Sequence, residues 1–200
     1  IMVDHEMERV AKYADRVMVL DKGQVIAIDH PGKIFGDPDI VNYHIDVPDY
    51  VKVIQELKNR GYTDRDIEIT EEPTIGTGKG GAWKMKIELK KMRYVYPTGE
   101  EALKGIDLTI EGTDPVAIIG QNGAGKTTIV KHFNGILRPA SGDVFINGEN
   151  IQNRSTAQWS REVGYVFQNP DDQLFLETVR KEFEFGPQQL GISKKRLMRG

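Results

Sequence analysis

The stretch that decides the fold is Gly120-Gln121-Asn122-Gly123-Ala124-Gly125-Lys126-Thr127. Two glycines, a lysine and a threonine stand in it at the spacing of a P-loop, between a predicted buried strand over 116–119 and a predicted helix. Glycines let the backbone curl so that several N–H groups point at one anion, and the positive end of the following helix faces the same anion. The stretch therefore predicts a phosphate-binding loop in an α/β protein.

Single side chains in this stretch have distinct expected roles. Lys126 supplies a mobile charge for the β- and γ-phosphates of a nucleotide. The Thr127 hydroxyl is a hard oxygen ligand for Mg²⁺. We expect the nucleotide to contact these two residues together with the neighbouring loop positions Gly120, Gln121, Asn122, Gly123, Ala124, Gly125 and Thr128. An incidental glycine-rich turn is the alternative, but chance gives this combination in well under ~1% of chains of this length.

Alternating apolar residues precede the loop. Residues 85–89 and 106–110 alternate with polar positions, which predicts half-buried antiparallel strands. Strands are also predicted at 144–146 and 163–167. The helix after the loop is expected to bury one face, made of Ile129, Val130, Phe133, Ile136 and Leu137.

The N-terminal segment has an α/β pattern of its own. A helix is predicted over 7–14, then a hairpin with strands at 16–20 and 24–28. A second amphipathic helix is predicted over 49–60, with Val53, Ile54 and Leu57 on its apolar face. We predict three regions: residues 1–70, a glycine-rich linker at 71–84, and residues 85–200. The alternative is a long surface loop within one domain.

Composition limits the functional classes. The 200-residue chain carries a formal net charge of -3, so no strong basic field indicates a nucleic-acid partner. It has no cysteine, which excludes disulfides and thiolate metal sites. No apolar run approaches the roughly 20 residues that cross a bilayer, and no signal peptide is visible. Both ends of the sequence look cut.

The residues around the loop resemble an ABC-type ATPase. Tyr94-Val95-Tyr96-Pro97 and then 102–108 are similar to the opening of an ABC nucleotide-binding domain. This resemblance implies a P-loop NTPase fold, α/β with a mixed sheet and an antiparallel β-subdomain ahead of the loop. It also implies that the aromatic at Tyr96 stacks on adenine, with Tyr94 as the competing candidate.

The segment downstream of the loop resembles the same family. Residues 141–148 look like its strand-turn segment, and 164–175 look like its Q-loop, which places its glutamine at Gln168. The resemblance implies that Gln168 touches Mg²⁺ or the attacking water. Residues 169–175 are most similar to ATPases of energy-coupling-factor importers. Asp171 and Asp172 invite a metal-site hypothesis, but two adjacent carboxylates make a poor cage and favour a solvated loop.

The N-terminal segment resembles the opposite end of the same domain. Val3-Asp4-His5-Glu6 followed by 13–23 is similar to the switch-histidine region and its hairpin, with Asp4 where the family more often has threonine or serine. Residues 17–21 imitate a Walker B strand, but Lys22 stands where a catalytic glutamate belongs, so we read them as hairpin. The resemblance implies that 1–70 ends a first ABC domain, with His5 catalytic in that domain's site, and that 85–200 begins a second.

The resemblance implies an ATP- and Mg²⁺-dependent ATPase that powers a membrane importer. Its expected partners are membrane subunits and a second ABC domain, paired head to tail and in the same polypeptide, at the cytoplasmic face of the membrane. Neither an LSGGQ-type signature nor a Walker B Asp-Glu follows Gln168 in the 200 residues, so we expect this chain alone to lack turnover. A soluble ABC protein acting on nucleic acid or ribosomes, and a binding-only site, are the alternatives.

Overall fold

The computed structural model describes residues 1–61, 85–189 and 191. They belong to two compact units, Ile1–Asn153 and Arg154–Gly200, which are described separately. The predicted linker at 71–84 lies outside the described residues, which resume at Met85. Within the described residues, no helix combines the length and apolarity needed to span a membrane.

A four-stranded sheet forms the centre of the first unit. Its strands are β1 (Met2–Val3), β2 (Arg16–Asp21), β3 (Gln24–Asp29) and β6 (Val116–Ile119). Their order is β1-β6-β2-β3, with β6 parallel to both of its neighbours and β3 antiparallel to β2. The hairpin predicted at 16–28 is therefore confirmed, and the chain segment that imitates a Walker B strand is its first arm.

Strand β6 joins the two halves of the sequence. Met2 and Val3 are in register with Ala117 and Ile118 on one side, and 16–19 are in register with 116–119 on the other. All four residues of β6 are buried. The two segments thus share one sheet in this structure. Their assignment to successive domains of a tandem protein stays a prediction.

A second, antiparallel sheet carries the alternating segments. Its strands are β4 (Met85–Val95), β5 (Glu101–Gly112), β7 (Ser141–Ile146) and β8 (Glu149–Asn150), in the order β5-β4-β7-β8. The predicted alternation is confirmed, since the buried side chains are Ile87, Leu89, Ile106, Leu108 and Ile110. Together the two sheets give the mixed α/β architecture with an antiparallel part ahead of the loop.

Three helices cover the N-terminal strands: α1 (Met7–Tyr13), α2 (Pro31–Gly36) and α3 (Asp49–Asn59), with a 3₁₀ turn at Pro38–Tyr43. The helix predicted at 49–60 is confirmed, but its predicted apolar face is wrong in part, because Val53 is 58% exposed and Leu57 is 39% exposed whereas Ile54 is half-buried. Val51 enters the core instead, and one turn later Gln55 Nε2 donates to the Phe35 carbonyl at 3.4 Å. Residues four apart share a helix face, so 51 and 55 define the inward side.

The helix after the loop, α4 (Lys126–Phe133), is shorter than its apolar pattern suggests. Ile129 and Phe133 are buried as predicted, but Ile136 lies beyond the helix end and is 37% exposed. Gly135 has a φ of +71°, a left-handed conformation that commonly terminates helices. The apolar pattern of the sequence thus extends beyond the end of the helix at Phe133.

A 3₁₀ turn at Ile151–Asn153 ends the first unit. The described part of the second unit contains two helices, α5 (Thr156–Trp159) and α6 (Val179–Gln189), and a 3₁₀ turn at Pro170–Asp172. The strand predicted at 163–167 is wrong, because these residues have no regular secondary structure and Val166 is 82% exposed. A strand needs a partner for its backbone groups, and the described residues of this unit contain no other strand.

Candidate nucleotide-binding site

The loop between β6 and α4 contains three glycines in conformations that side chains rarely adopt. Gly120, Gly123 and Gly125 have φ values of +148°, +81° and +103°. A Cβ at Gly120 would lie 2.1 Å from the Leu20 carbonyl oxygen, and one at Gly125 would lie 2.9 Å from the Ala102 carbonyl oxygen. The loop is therefore pressed against the hairpin strand β2 on one side and against β5 on the other.

The turn of the hairpin holds the loop in place through backbone hydrogen bonds. The Gly23 N–H donates to the Ala124 carbonyl at 3.0 Å, and the Lys104 N–H donates to the Gly23 carbonyl at 2.9 Å. A Cβ at Gly23 would lie 2.4 Å from the Ala102 carbonyl oxygen. The β2–β3 turn thus links β5 to the loop, and only glycine fits where it does so.

Lys126 is the buried cation of the site. Its side chain is only 6% exposed, and its Nζ donates to the carbonyls of Gly120 at 2.6 Å and Gln121 at 2.7 Å. Burial lowers the pKa of Lys126 from its ordinary value, because the charged ammonium has lost water. The ammonium is directed over its own loop, where the anionic oxygens of a phosphate would be stronger partners than two neutral carbonyls.

The two threonines at the start of α4 differ in environment. Thr127 is exposed, and the first turn of α4 contains no acidic residue that would repel an anion. Thr128 is 5% exposed, and its Oγ1 lies 2.7 Å from the Tyr96 hydroxyl. The structure therefore brings Tyr96 to the helix that carries the lysine. Its stacking on adenine stays a prediction.

Tyr94 packs between Tyr96 and His132 of α4. Its ring contacts the ring of Tyr96 edge to face, with centroids 5.0 Å apart, and that of His132 edge to face at 4.9 Å. His132 is fully buried, and its Nδ1 lies 2.8 Å from the Thr128 carbonyl. No role for His132 was predicted from the sequence, because its connection to the site is a contact with a tyrosine distant in the sequence.

The structure places His5 at the same sheet edge as the loop. It follows β1, which runs parallel to β6, so both His5 and Gly120 stand at the carboxyl ends of neighbouring strands. Its backbone N–H donates to Asp4 Oδ1 at 2.7 Å. Partial burial raises the pKa of Asp4, but hydrogen bonds from the backbone N–H groups of Glu6 and His5 and the charge of Arg9 outweigh it and lower that pKa overall. Asp4 is therefore an anchor for the turn that presents His5.

Gln168 belongs to the second unit and is exposed there. The neighbouring Phe167 N–H donates to Gln173 Oε1 at 3.3 Å, and Tyr165 contacts Phe167 edge to face. Asp171 and Asp172 form part of a 3₁₀ turn, and the described residues contain no group of three or more histidines and carboxylates that could hold a metal ion. The structure leaves the roles of Gln168 and His5 as predictions.

A glycine-lined loop between a buried parallel strand and a helix, with a buried lysine at the helix start, defines a P-loop NTPase. Residues 103–198 match the family model described as ABC transporter. Over this segment the chain belongs to the ABC transporter ATP-binding proteins, and its fold is that of an ABC-type P-loop NTPase.

Several relatives are similar to this chain. Over 98% of its length it is 30% identical to a putative ABC transporter ATP-binding protein of Caldanaerobacter subterraneus subsp. tengcongensis, of which it covers 38%. Over 53% of its length it is 50% identical to the energy-coupling factor transporter ATP-binding protein of Methanothermobacter thermautotrophicus, of which it covers 35%. Over 56% of its length it is 50% identical to a putative ABC transporter ATP-binding protein of Pyrococcus furiosus, of which it covers 42%.

A solved structure is also similar in sequence. It is cbiO1 from Clostridium perfringens, described as part of an ABC transporter complex, with 33% identity and a TM-score of 0.48. The match covers 56% of this chain and 46% of that one. The chain thus spans less than half the length of each of these relatives.

Proposed function

We propose that this chain binds ATP with Mg²⁺ at the loop 120–128, and that the whole protein hydrolyses ATP to drive a membrane importer of the energy-coupling-factor type. The observation that carries the proposal is Lys126, whose ammonium is buried at the start of α4 and donates to two neutral loop carbonyls. A buried cation held by neutral groups favours an anionic ligand.

The residues present fit the nucleotide and its metal. The loop N–H groups and Lys126 would bind the β- and γ-phosphates, and the exposed Thr127 hydroxyl would be a protein ligand for Mg²⁺ beside phosphate oxygens. The metal, when bound, neutralises charge on the phosphates. Tyr96, fixed to Thr128 by its hydroxyl, offers its ring to the adenine base.

Hydrolysis needs groups that these 200 residues do not contain. The general-base glutamate after a Walker B strand and the signature sequence of a paired domain are absent from the sequence. We therefore propose turnover only for the whole protein, with Gln168 at the metal or the attacking water and a second ABC domain closing head to tail. In the tandem arrangement His5 serves the first domain's nucleotide.

The transport role rests on the relatives. The energy-coupling factor ATP-binding proteins among them are 44 to 50% identical over about half of this chain. Exposed apolar side chains in the second unit, Val166, Leu174, Phe175 and Phe183, would suit contact with membrane subunits at the cytoplasmic face. An ABC protein that acts on nucleic acid is disfavoured by the net charge of -3.

Calorimetric titration with MgATP tests phosphate binding. Lys126→Ala removes the buried cation, and we expect a loss of about 2 kcal/mol or more, roughly 30-fold in affinity. Lys131→Ala removes the same charge from the last turn of the same helix and should bind as the unchanged chain does. Equal affinities for the two variants, with normal melting curves, would exclude Lys126 from the site.

A further inference from the structure

Four residues behind the loop form a closed set of contacts. The Thr128 hydroxyl is hydrogen-bonded to the Tyr96 hydroxyl at 2.7 Å, and the Thr128 carbonyl accepts from His132 Nδ1 at 2.8 Å. Tyr94 completes the set through its edge-to-face contacts with Tyr96 and with His132. We call these residues, Thr128, Tyr96, Tyr94 and His132, the tyrosine support.

Each contact of the tyrosine support restricts the ring of Tyr96 in a different way. The hydroxyl bond fixes the tip of the ring at the first turn of α4, close to Lys126. The Tyr94 ring fixes its side, because an edge-to-face pair has a preferred separation and angle. His132, fully buried and bonded to the helix backbone, keeps Tyr94 from moving away. A carbonyl can only accept, so Nδ1 carries the hydrogen in this bond.

We infer that Tyr94 and His132 are positioning residues for the base of the bound nucleotide, acting through Tyr96. Because the support begins and ends on Thr128, it sets the height of the Tyr96 ring above the phosphate loop. The two ends of a nucleotide, base and phosphates, would then be held at one fixed separation. This inference rests on the proposed function, and it adds two residues that do not themselves touch the nucleotide.

The positioning role concerns the base and not the phosphates of the nucleotide, so the binding of two ligands is compared. A non-hydrolysable ATP analogue presents both parts, whereas inorganic tripolyphosphate presents only the anion. Tyr96→Leu removes the stacking ring and should weaken the ATP analogue roughly tenfold, with tripolyphosphate changed by less than roughly twofold. Tyr94→Leu should show the same selective loss, at roughly threefold to tenfold, although Tyr94 does not contact the nucleotide.

Further variants separate positioning from general damage. Tyr94→Phe keeps the ring and should restore the ATP analogue's affinity. Tyr96→Phe keeps the stacking ring but removes its bond to Thr128, and should lose part of the ATP affinity only. The double variant Tyr94→Leu/Tyr96→Leu should bind no more weakly than Tyr96→Leu alone, because the two act through one ring. Tyr13→Leu, an exposed tyrosine on α1, is the matched control and should change neither affinity.

Four binding results would contradict these proposals. Equal weakening of both ligands by Tyr94→Leu, or additive losses in the double variant, would overturn the positioning role. An unchanged chain that binds the two ligands equally would also overturn it, because the ring would then contribute nothing, while phosphate binding would stand. An unchanged chain that binds neither ligand would instead remove the proposed function itself.

Discussion

Gly120 is the glycine of the loop at which an added Cβ would come nearest to another backbone atom. Its φ of +148° is unfavourable for a side chain, and a Cβ there would lie 2.1 Å from the backbone oxygen of Leu20. The obstacle is the backbone of β2, so relief requires a shift between two paired strands of the sheet. We expect Gly120→Ala to lower the free energy of unfolding by roughly 3 kcal/mol or more, strain and clash together, measured by urea denaturation.

Gly123→Ala is the matched control for this prediction. Gly123 has a φ of +81° in the same loop, but a Cβ there would meet nothing within 4 Å. Only backbone strain of about 1 kcal/mol or slightly more is expected. If the two variants lost equal stability, the close approach of the loop to β2 would not be what restricts position 120.

The spacing of Gly120, Gly125 and Lys126 was sufficient to predict the loop, because phosphate binding needs those residue types in a local order. The role of His132 could not be found in the same way. Its bond to the Thr128 carbonyl is local to α4, but its contact with the Tyr94 ring exists only once β4 and α4 are packed together. A local pattern identifies functional residues that are adjacent in the sequence. A residue whose role depends on a tertiary contact leaves no such pattern.

Among the secondary-structure elements, the predicted strands are confirmed except at 163–167, but apart from the hairpin at 16–28 their partners were not predicted. The alternation in β4 and β5 indicates which face is buried, but nothing local states that β6 inserts between β1 and β2. The errors in α3 and α4 have the same origin. Val53 and Ile136 are apolar at the expected spacing, yet one faces away from the core and the other follows the helix end. Periodicity defines a face, and packing decides whether that face is covered.

The burial of His132 on α4 leads us to predict how the stability of the protein depends on pH. Burial lowers the pKa of His132, against the raising effect of the Thr128 carbonyl, so the folded protein takes up this proton at a lower pH than the unfolded chain. The contribution of the neutral histidine is present above its ordinary pKa of 6.5 and is lost as the pH falls below that value. We expect urea denaturation to show lower stability at pH 5.5 than at pH 7.5.

Two variants assign this effect to the helix contact. His132→Gln does not titrate and should reduce the difference between the two pH values, even if it lowers stability at both. His44→Asn removes an exposed histidine from a left-handed position that asparagine tolerates, and should leave the difference as it is. The same pH difference in His132→Gln and in the unchanged chain would show that other groups cause it.

For the whole molecule, the decisive feature is that segments 1–61 and 85–153 share one sheet. The family resemblance places them at opposite ends of a domain, and the similarity to a longer ABC transporter ATP-binding protein extends over 98% of the chain in this order. The buried residues of β6 pair on both edges with the N-terminal segment, and the Gly23 turn is bonded to the phosphate loop. The loop of this chain therefore depends on residues far upstream of it.

This dependence predicts how the chain behaves when it is cut. A protease recognition sequence in place of residues 75–81 allows cleavage between the two segments without altering either sheet. Removing the N-terminal piece would expose the apolar strand 116–119, at roughly 1.5 to 3 kcal/mol for each large side chain uncovered. We expect the cut pieces to elute together in size-exclusion chromatography and to keep the tripolyphosphate affinity of the uncut chain.

A variant in the shared sheet provides the control. Val19 is fully buried and is in register with Ile119, so Val19→Asp places an unpaired carboxylate against the strand that leads into the loop. In that background the cut pieces should separate, and tripolyphosphate binding should be lost with them. Separate elution of the pieces from the otherwise unchanged chain, with the anion still bound by the C-terminal piece, would show that the loop stands without its upstream neighbours. The two segments would then fold independently, as expected if His5 serves the nucleotide of the first domain.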